Sequence, residues 1–231
     1  GFGCYGVVAR NADKLTIKNS DISGTGYAVY VYGHGSQDLI TGNTIHDNTT
    51  MIRNTPQAGD DFGGSGIGLM NSNAATGATV SYNTVYNNVA PSHDYTTDGS
   101  AFEIYGHSND TFTNNTAYNN RNVLDTGGTC ANYTFTNNTI TGRTAGSTLA
   151  YANGFILRCA ANAVFTNNQL NNLDWWDFWI TPRSTVPTEA DGLKITNNVI
   201  TQGNAVFYSL GLDPHGHNMS ITGNTYSYKA A

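Results

Sequence analysis

The chain keeps rewriting one six-residue phrase, and that repetition limits the folds open to it more than any other feature. The copies are Ile17–Ile22 (IKNSDI), Ile40–Ile45 (ITGNTI), Val80–Val85 (VSYNTV), Phe112–Ala117 (FTNNTA), Phe135–Ile140 (FTNNTI), Phe165–Leu170 (FTNNQL), Ile195–Ile200 (ITNNVI) and Ile221–Tyr226 (ITGNTY). The fourth position holds Ser20, then Asn43, Asn83, Asn115, Asn138, Asn168, Asn198 and Asn224, at spacings of 23, 40, 32, 23, 30, 30 and 26 residues. A repeat of this length means a solenoid, a propeller or an array. The copies lack a 3.6-residue apolar period and are not rich in helix formers; they are short β-branched or aromatic runs cut by Asn and Gly. Asn tolerates the left-handed backbone of a sharp turn, and amides stacked at the spacing of strands can hydrogen-bond from one coil to the next. The expectation is an all-β chain, a parallel β-solenoid of about eight coils forming one domain over residues 1–231.

Each coil carries an earlier strand before its Asn. These read Tyr5–Arg10, Ala28–Tyr32, Ile67–Asn71, Ala101–Tyr105, Asn122–Thr126, Gly154–Arg158, Asp177–Thr181 and Ala205–Ser209. Alternation along a strand sorts the faces. Val29, Val31, Phe102, Ile104, Phe178 and Ile180 should point inward, leaving Tyr30, Tyr32, Glu103, Tyr105, Asp177, Trp179 and Thr181 outside. The runs around Val123–Asp125 and Phe155–Leu157 leave the phase open, and Asp125 and Arg158 are placed at exposed strand ends. Insertions at His46–Gly66, Asn87–Ser100, Thr141–Asn153 and Asn171–Trp176 leave just before an early strand, with a further one at Pro182–Asp191. Insertions gathered on one side of a solenoid mark a binding face. Solenoid ends need covering, so Gly1–Gly6 either folds over the open end or follows a capping segment.

Composition narrows the partners. Only 11% of the residues are charged and the net charge is −6 with ten Lys plus Arg, against a nucleic-acid partner. No apolar run approaches a membrane span. An extracellular or periplasmic, secreted monomer is the expectation. Cys130 and Cys159 follow the early strands of consecutive coils, where they either bridge or remain two buried thiols, and Cys4 is left over.

The candidate chemistry lies on the outward face of the early strands. Glu103 is one of two glutamates in the chain, and Asp125 sits one coil on, with Arg158 on the next. Adjacent carboxyls perturb each other's pKa, as acid–base chemistry requires. Tyr105 and His107 could move a proton, although His34 repeats the turn of His107. Tyr30, Tyr32, Trp175 and Trp179 would stack on sugar rings or support the loops above them. Arg183 is a further candidate for substrate contact. Asp60, Asp61 and Asp98 end neighbouring insertions, where converging carboxylates could take Ca²⁺, although Asp-Gly is also an ordinary turn.

Over essentially its whole length the repeat resembles the right-handed parallel β-helix proteins of the pectin-lyase-like superfamily. That resemblance implies a right-handed coil and a polysaccharide lyase, glycoside hydrolase or uronate epimerase acting in a loop-flanked groove. Gly59-Asp60-Asp61 and Gly33-His34-Gly35 resemble pieces of the polygalacturonase signature, here in reversed order. Asp213-Pro214-His215 resembles part of the alginate epimerase motif, with Leu210 where that family has a tyrosine. The leading expectation is a lyase on a uronic-acid-containing glycan, with Arg158 or calcium neutralising the carboxylate. A hydrolase using Glu103 and Asp125, an epimerase and a non-catalytic glycan-binding or adhesin-like solenoid are the alternatives.

Overall fold

A computed structural model of the chain describes residues 3–57, 59–70, 77–181, 189–202, 208–212 and 216–228. They form a parallel β-helix of eight coils, three strands to a coil, and no helix occurs among the described residues. One eight-stranded sheet, termed here the groove sheet, holds Tyr5–Arg10, Tyr27–Tyr32, Ser65–Met70, Ser100–Tyr105, Asn122–Gly127, Asn153–Leu157, Trp176–Ile180 and Tyr208–Leu212. The other two sheets are the arms of the repeated phrase, such as Thr134–Thr136 and Thr139–Thr141 on either side of Asn138. The last groove strand lies three residues beyond the expected Ala205–Ser209, since Leu210 pairs with Phe178; residues 203–207 lie outside the described set.

The phrase works by dividing two tasks between neighbouring residues. The residue before the anchor takes the left-handed turn: Asn114, Asn137, Asn167 and Asn197 have φ of 55°, 56°, 56° and 56°, and Gly42 and Gly223 serve in two other coils. The anchor amide is therefore free to stack. Asn83, Asn115, Asn138 and Asn168 each donate to the next coil's amide oxygen at 2.9–3.0 Å and to a buried carbonyl of the preceding coil. A shorter ladder, Asn48 to Asn88 to Asn120, runs beside the groove sheet at 2.6 and 2.8 Å. These buried amides are thus satisfied by their counterparts one coil away. The apolar positions stack likewise, with Phe112, Phe135 and Phe165 at centroid spacings of 5.7 and 5.9 Å.

In the groove sheet the alternation holds from position 29 of the second coil onward, but the residue just before it also turns inward. Ala28, Ala101 and Val123 all belong to the core. Asp177 occupies the same row and is 0% exposed, so it faces the interior and not the groove as the strand pattern suggested. Ser209 and Gln202 hydrogen-bond its carboxyl, and burial pushes its pKa up to about 7.

Cys130 and Cys159 are bridged, with a Cα–Cα distance of 5.4 Å. The bridge joins successive coils across 29 residues, so removing it should cost about 2–4 kcal/mol of stability. We expect a Cys130→Ser/Cys159→Ser double variant to unfold at a correspondingly lower denaturant midpoint; an unchanged midpoint would contradict that contribution.

Candidate functional site

The outward face of the groove sheet presents one continuous row. Register pairing aligns Tyr30, Gly68, Glu103, Asp125, Ile156 and Trp179, which spans about 24 Å at the usual strand spacing. Two residues further along each strand, Tyr32, Met70, Tyr105 and Gly127 form a second row. The face divides into a tyrosine end, a charged centre and a tryptophan end.

At the centre, Glu103 and Asp125 are direct partners on adjacent strands. Two glycines make room for the phenols that cross between coils. A Cβ at Gly68 would lie 2.6 Å from the Tyr27 ring, and one at Gly127 would lie 2.3 Å from that of Tyr105. Over Gly68, the Tyr27 hydroxyl donates to Glu103 Oε2, while Ser65 Oγ donates to Oε1 at 2.6 Å. Near Gly127, the Tyr105 hydroxyl donates to Asp125 Oδ2 at 3.0 Å, and Arg158 Nη1 donates to Asp125 Oδ1. The candidates Glu103, Asp125, Arg158 and Tyr105 therefore converge. Asp125 is half-buried and not at an exposed strand end, because the Arg158 side chain folds back over it.

The electrostatics separate the two carboxyls. Burial pushes Glu103 up to about 8; the Ser65 and Tyr27 donors oppose this, and Asp125 and Asp98 reinforce it. Burial raises Asp125 too, but against a guanidinium and a phenol donor. Among the described residues the donors to Glu103 are neutral, whereas Asp125 faces a guanidinium. For Arg158, burial acts to lower the pKa, yet Asp125, Tyr105 and Tyr95 hold it above the ordinary value. Asp98, on the insertion hairpin, is pushed up to about 6 by burial, with Asp125 adding to the shift.

His107 does not join them. It is 1% exposed and pairs through Nδ1 with Asp110 at 2.7 Å, where Asp110 also accepts the Ala78 N–H at 2.9 Å. That pair closes a turn below the surface, so His107 cannot meet a substrate in the groove. Arg183 lies outside the described residues, as does Asp213-Pro214-His215.

The aromatic candidates lie to either side of the centre. Tyr30 packs on Tyr5, Tyr27 and Tyr32 at 5.0, 5.2 and 6.2 Å between centroids. At the other end Trp176 and Trp179 lie 4.8 Å apart, and Trp175, 42% exposed, stacks on Tyr151 at 4.8 Å. Tyr151 in turn covers the buried Arg121 guanidinium at 3.9 Å. Sequence reasoning missed Tyr27, Ser65, Tyr95 and Tyr151. The signal for Tyr27 was present in Gly68, a strand glycine in a row of outward-facing large residues.

The expected calcium ligands regroup. Asp60 and Asp61 meet Asp94, with one carboxylate oxygen from each within 4.8 Å of the others, while Asp98 lies toward Asp125. Carboxylates suit calcium, but these are already engaged in clamping two loops together. Asp94 Oδ2 accepts the N–H groups of Gly59, Asp60 and Asp61 at 3.0 Å each. Asp61 accepts from Thr55 N at 2.8 Å and Ser92 Oγ at 2.7 Å, and Asp60 pairs with Arg53 at 2.5 Å. Arg53 already supplies a positive charge that a cation would bring.

A family model described as a right handed beta helix region matches residues 2–172. No curated protein matches the chain.

Proposed function

Since the chain belongs to the right-handed β-helix family, with a charged centre between two aromatic ends on one sheet, we propose that it is a secreted glycoside hydrolase acting on a polysaccharide. Glu103 is the general acid and Asp125 the nucleophile. One observation carries this reading: the two carboxyls are register partners whose surroundings differ, Glu103 among neutral donors and Asp125 against Arg158. An acid kept protonated beside a carboxylate kept ionised is the arrangement glycosidic cleavage uses. The Cys130–Cys159 bridge supports an oxidising compartment outside the cytosol. The aromatic ends would hold sugar rings to either side of the cleaved bond.

Elimination, the leading expectation from the sequence, fits this centre less well. It needs a base near C5 and a cation for the uronate carboxylate. Arg158 is already paired with Asp125, and the Tyr105 phenol, raised by burial and by Asp125, donates to the same carboxylate. Two of the groups the lyase reading named, Arg158 and Tyr105, are thus engaged.

The test is a panel of neutral and uronic-acid polysaccharides, scored for new reducing ends and for ultraviolet-absorbing unsaturated ends. Reducing ends without unsaturation are expected; unsaturated ends would move the assignment to a lyase, and silence across the panel would leave a binding protein. The pH profile adds a second check. Glu103 must carry its proton, so kcat/KM should fall as pH rises through about 8, and it should also fall in acid as Asp125 is protonated. A profile with no alkaline limb near that pH would remove Glu103 from the acid role.

A further inference from the structure

The insertions enclose a second site that the catalytic reading does not use. A cavity of about 630 Å³, within the size range of small-ligand sites, lies where the third strand of each coil turns toward the groove sheet. Asp47, Asn87 and Asn119 from three consecutive coils line one side of it, each in a left-handed turn with φ of 52°, 55° and 54°. Asn87 Nδ2 donates to Asp47 Oδ1 at 2.9 Å. Asn119 grips the start of the fifth coil's insertion, accepting the Thr144 N–H at 2.8 Å and donating to Thr144 Oγ1 at 2.9 Å. That grip holds Thr144–Ala150 over the cavity, opposite Thr49 and Thr97.

The antiparallel hairpin of Ala90–Ser92 and Thr96–Asp98 separates this cavity from the carboxyl pair. Successive strand residues face opposite ways. Thr97 lines the cavity, and its neighbour Asp98 interacts with Asp125. The two sites are thus back to back across one strand.

The lining specifies a chemical class. Amide and hydroxyl groups of Asn87, Asn119, Thr49 and Thr148 alternate with the apolar Val89 and Leu149. That mixture suits a sugar, with hydroxyls at its rim and C–H groups on its faces. Among the described lining residues Asp47 is the one charged side chain, and hydrogen bonds from His46 and Asn87 hold its carboxyl below the usual range. An anionic sugar would be repelled there. The residues just before the lining triad are His46, Tyr86 and Tyr118, whose rings stack at 4.8 and 4.7 Å and lie within 5° of parallel. They form a flat strip along the adjoining sheet, next in sequence to the lining residues.

We propose that this cavity is a second, non-catalytic binding site for a neutral stretch of a glycan chain, holding polymer beside the groove. Its ligand class rests on the reading of the chain as carbohydrate-active; its location does not.

The experiment is calorimetric titration of the full chain carrying Glu103→Gln, so that no ligand is consumed, with neutral hexasaccharides of β-1,4-linked glucose, xylose and mannose and with an oligogalacturonate of equal length. Thr148→Trp and, separately, Thr49→Trp are added to fill the cavity from opposite walls, each checked for an unchanged circular dichroism spectrum. At least one neutral hexasaccharide should bind, and either tryptophan should remove one equivalent of binding. If the groove also takes the neutral chain, stoichiometry falls from two to one; if it does not, the fall is from one to zero, so failure of the groove reading stays distinguishable. Unchanged stoichiometry in both tryptophan variants, no binding of any neutral hexasaccharide, or equal loss of oligogalacturonate binding overturns the proposal.

Discussion

Asn138→Ala should lower the unfolding free energy by about 3–5 kcal/mol, a large loss for one side chain. Asn138 is 1% exposed and serves three coils at once. Its Nδ2 donates to Phe112 O, Thr136 O and Asn168 Oδ1, each at 3.0 Å. Its Oδ1 accepts from Asn115 N at 2.8 Å and Asn115 Nδ2 at 3.0 Å. Alanine leaves those partners in place, buried and short of a bond, and each such group costs about 1–3 kcal/mol. Asn138→Asp is the sharper variant. It keeps the volume and the acceptor but gives up the donations, so it should be at least as damaging. Thr139→Ala, at an exposed position in the same phrase, should stay within about 0.5 kcal/mol of the parent. Urea titration compares all three. Midpoints for the Asn138 variants matching that of Thr139→Ala would mean that the ladder sets register without contributing stability.

The same ladder explains which parts of the molecule were legible in advance. The coils could be read because each is a separate copy of one solution, and a column of Asn at irregular spacing has few other physical meanings. The outward positions of Tyr30, Glu103, Tyr105 and Trp179 followed from strand alternation. Asp177 was misplaced because alternation assumes an unbent strand, whereas two consecutive residues turn inward where the chain enters the groove sheet. His107 was read on the turn after Glu103, where it lies; what the sequence did not show is that Asp110 captures its ring. Contacts between coils were the hardest to foresee. Tyr27 reaches Glu103 across 76 residues of sequence, which no local pattern encodes; only the small residue between them, Gly68, marks the path.

Glu103→Gln should lower kcat by about 10²–10⁴-fold, the usual worth of a positioned general acid, with little change in thermal stability. The amide matches the carboxyl in shape and its oxygen can still accept from Ser65 or Tyr27. What it lacks is a proton for the leaving oxygen. The loss should therefore shrink on substrates with an aryl leaving group that needs no protonation. Asp125→Asn should show the opposite pattern: a loss that a better leaving group does not repair, because the nucleophile itself is gone, together with a freed Arg158. Adjacent parallel strands lie about 4.8 Å apart, close to the 5–5.5 Å carboxyl separation of retaining enzymes and short of the 6.5–9.5 Å that admits a water between them. The product should thus keep the anomeric configuration of the substrate, which proton NMR of the first-formed sugar reads directly. Inversion would show that Asp125 activates water instead of attacking the sugar. Full activity in both variants would remove the pair from the chemistry altogether. Gly127→Ala separates the centre from the groove around it. Its new methyl would displace the Tyr105 ring and, with it, the hydrogen bond that helps hold Asp125 in position. Activity should fall there with both carboxyls intact, because the pair depends on the phenol that crosses that glycine.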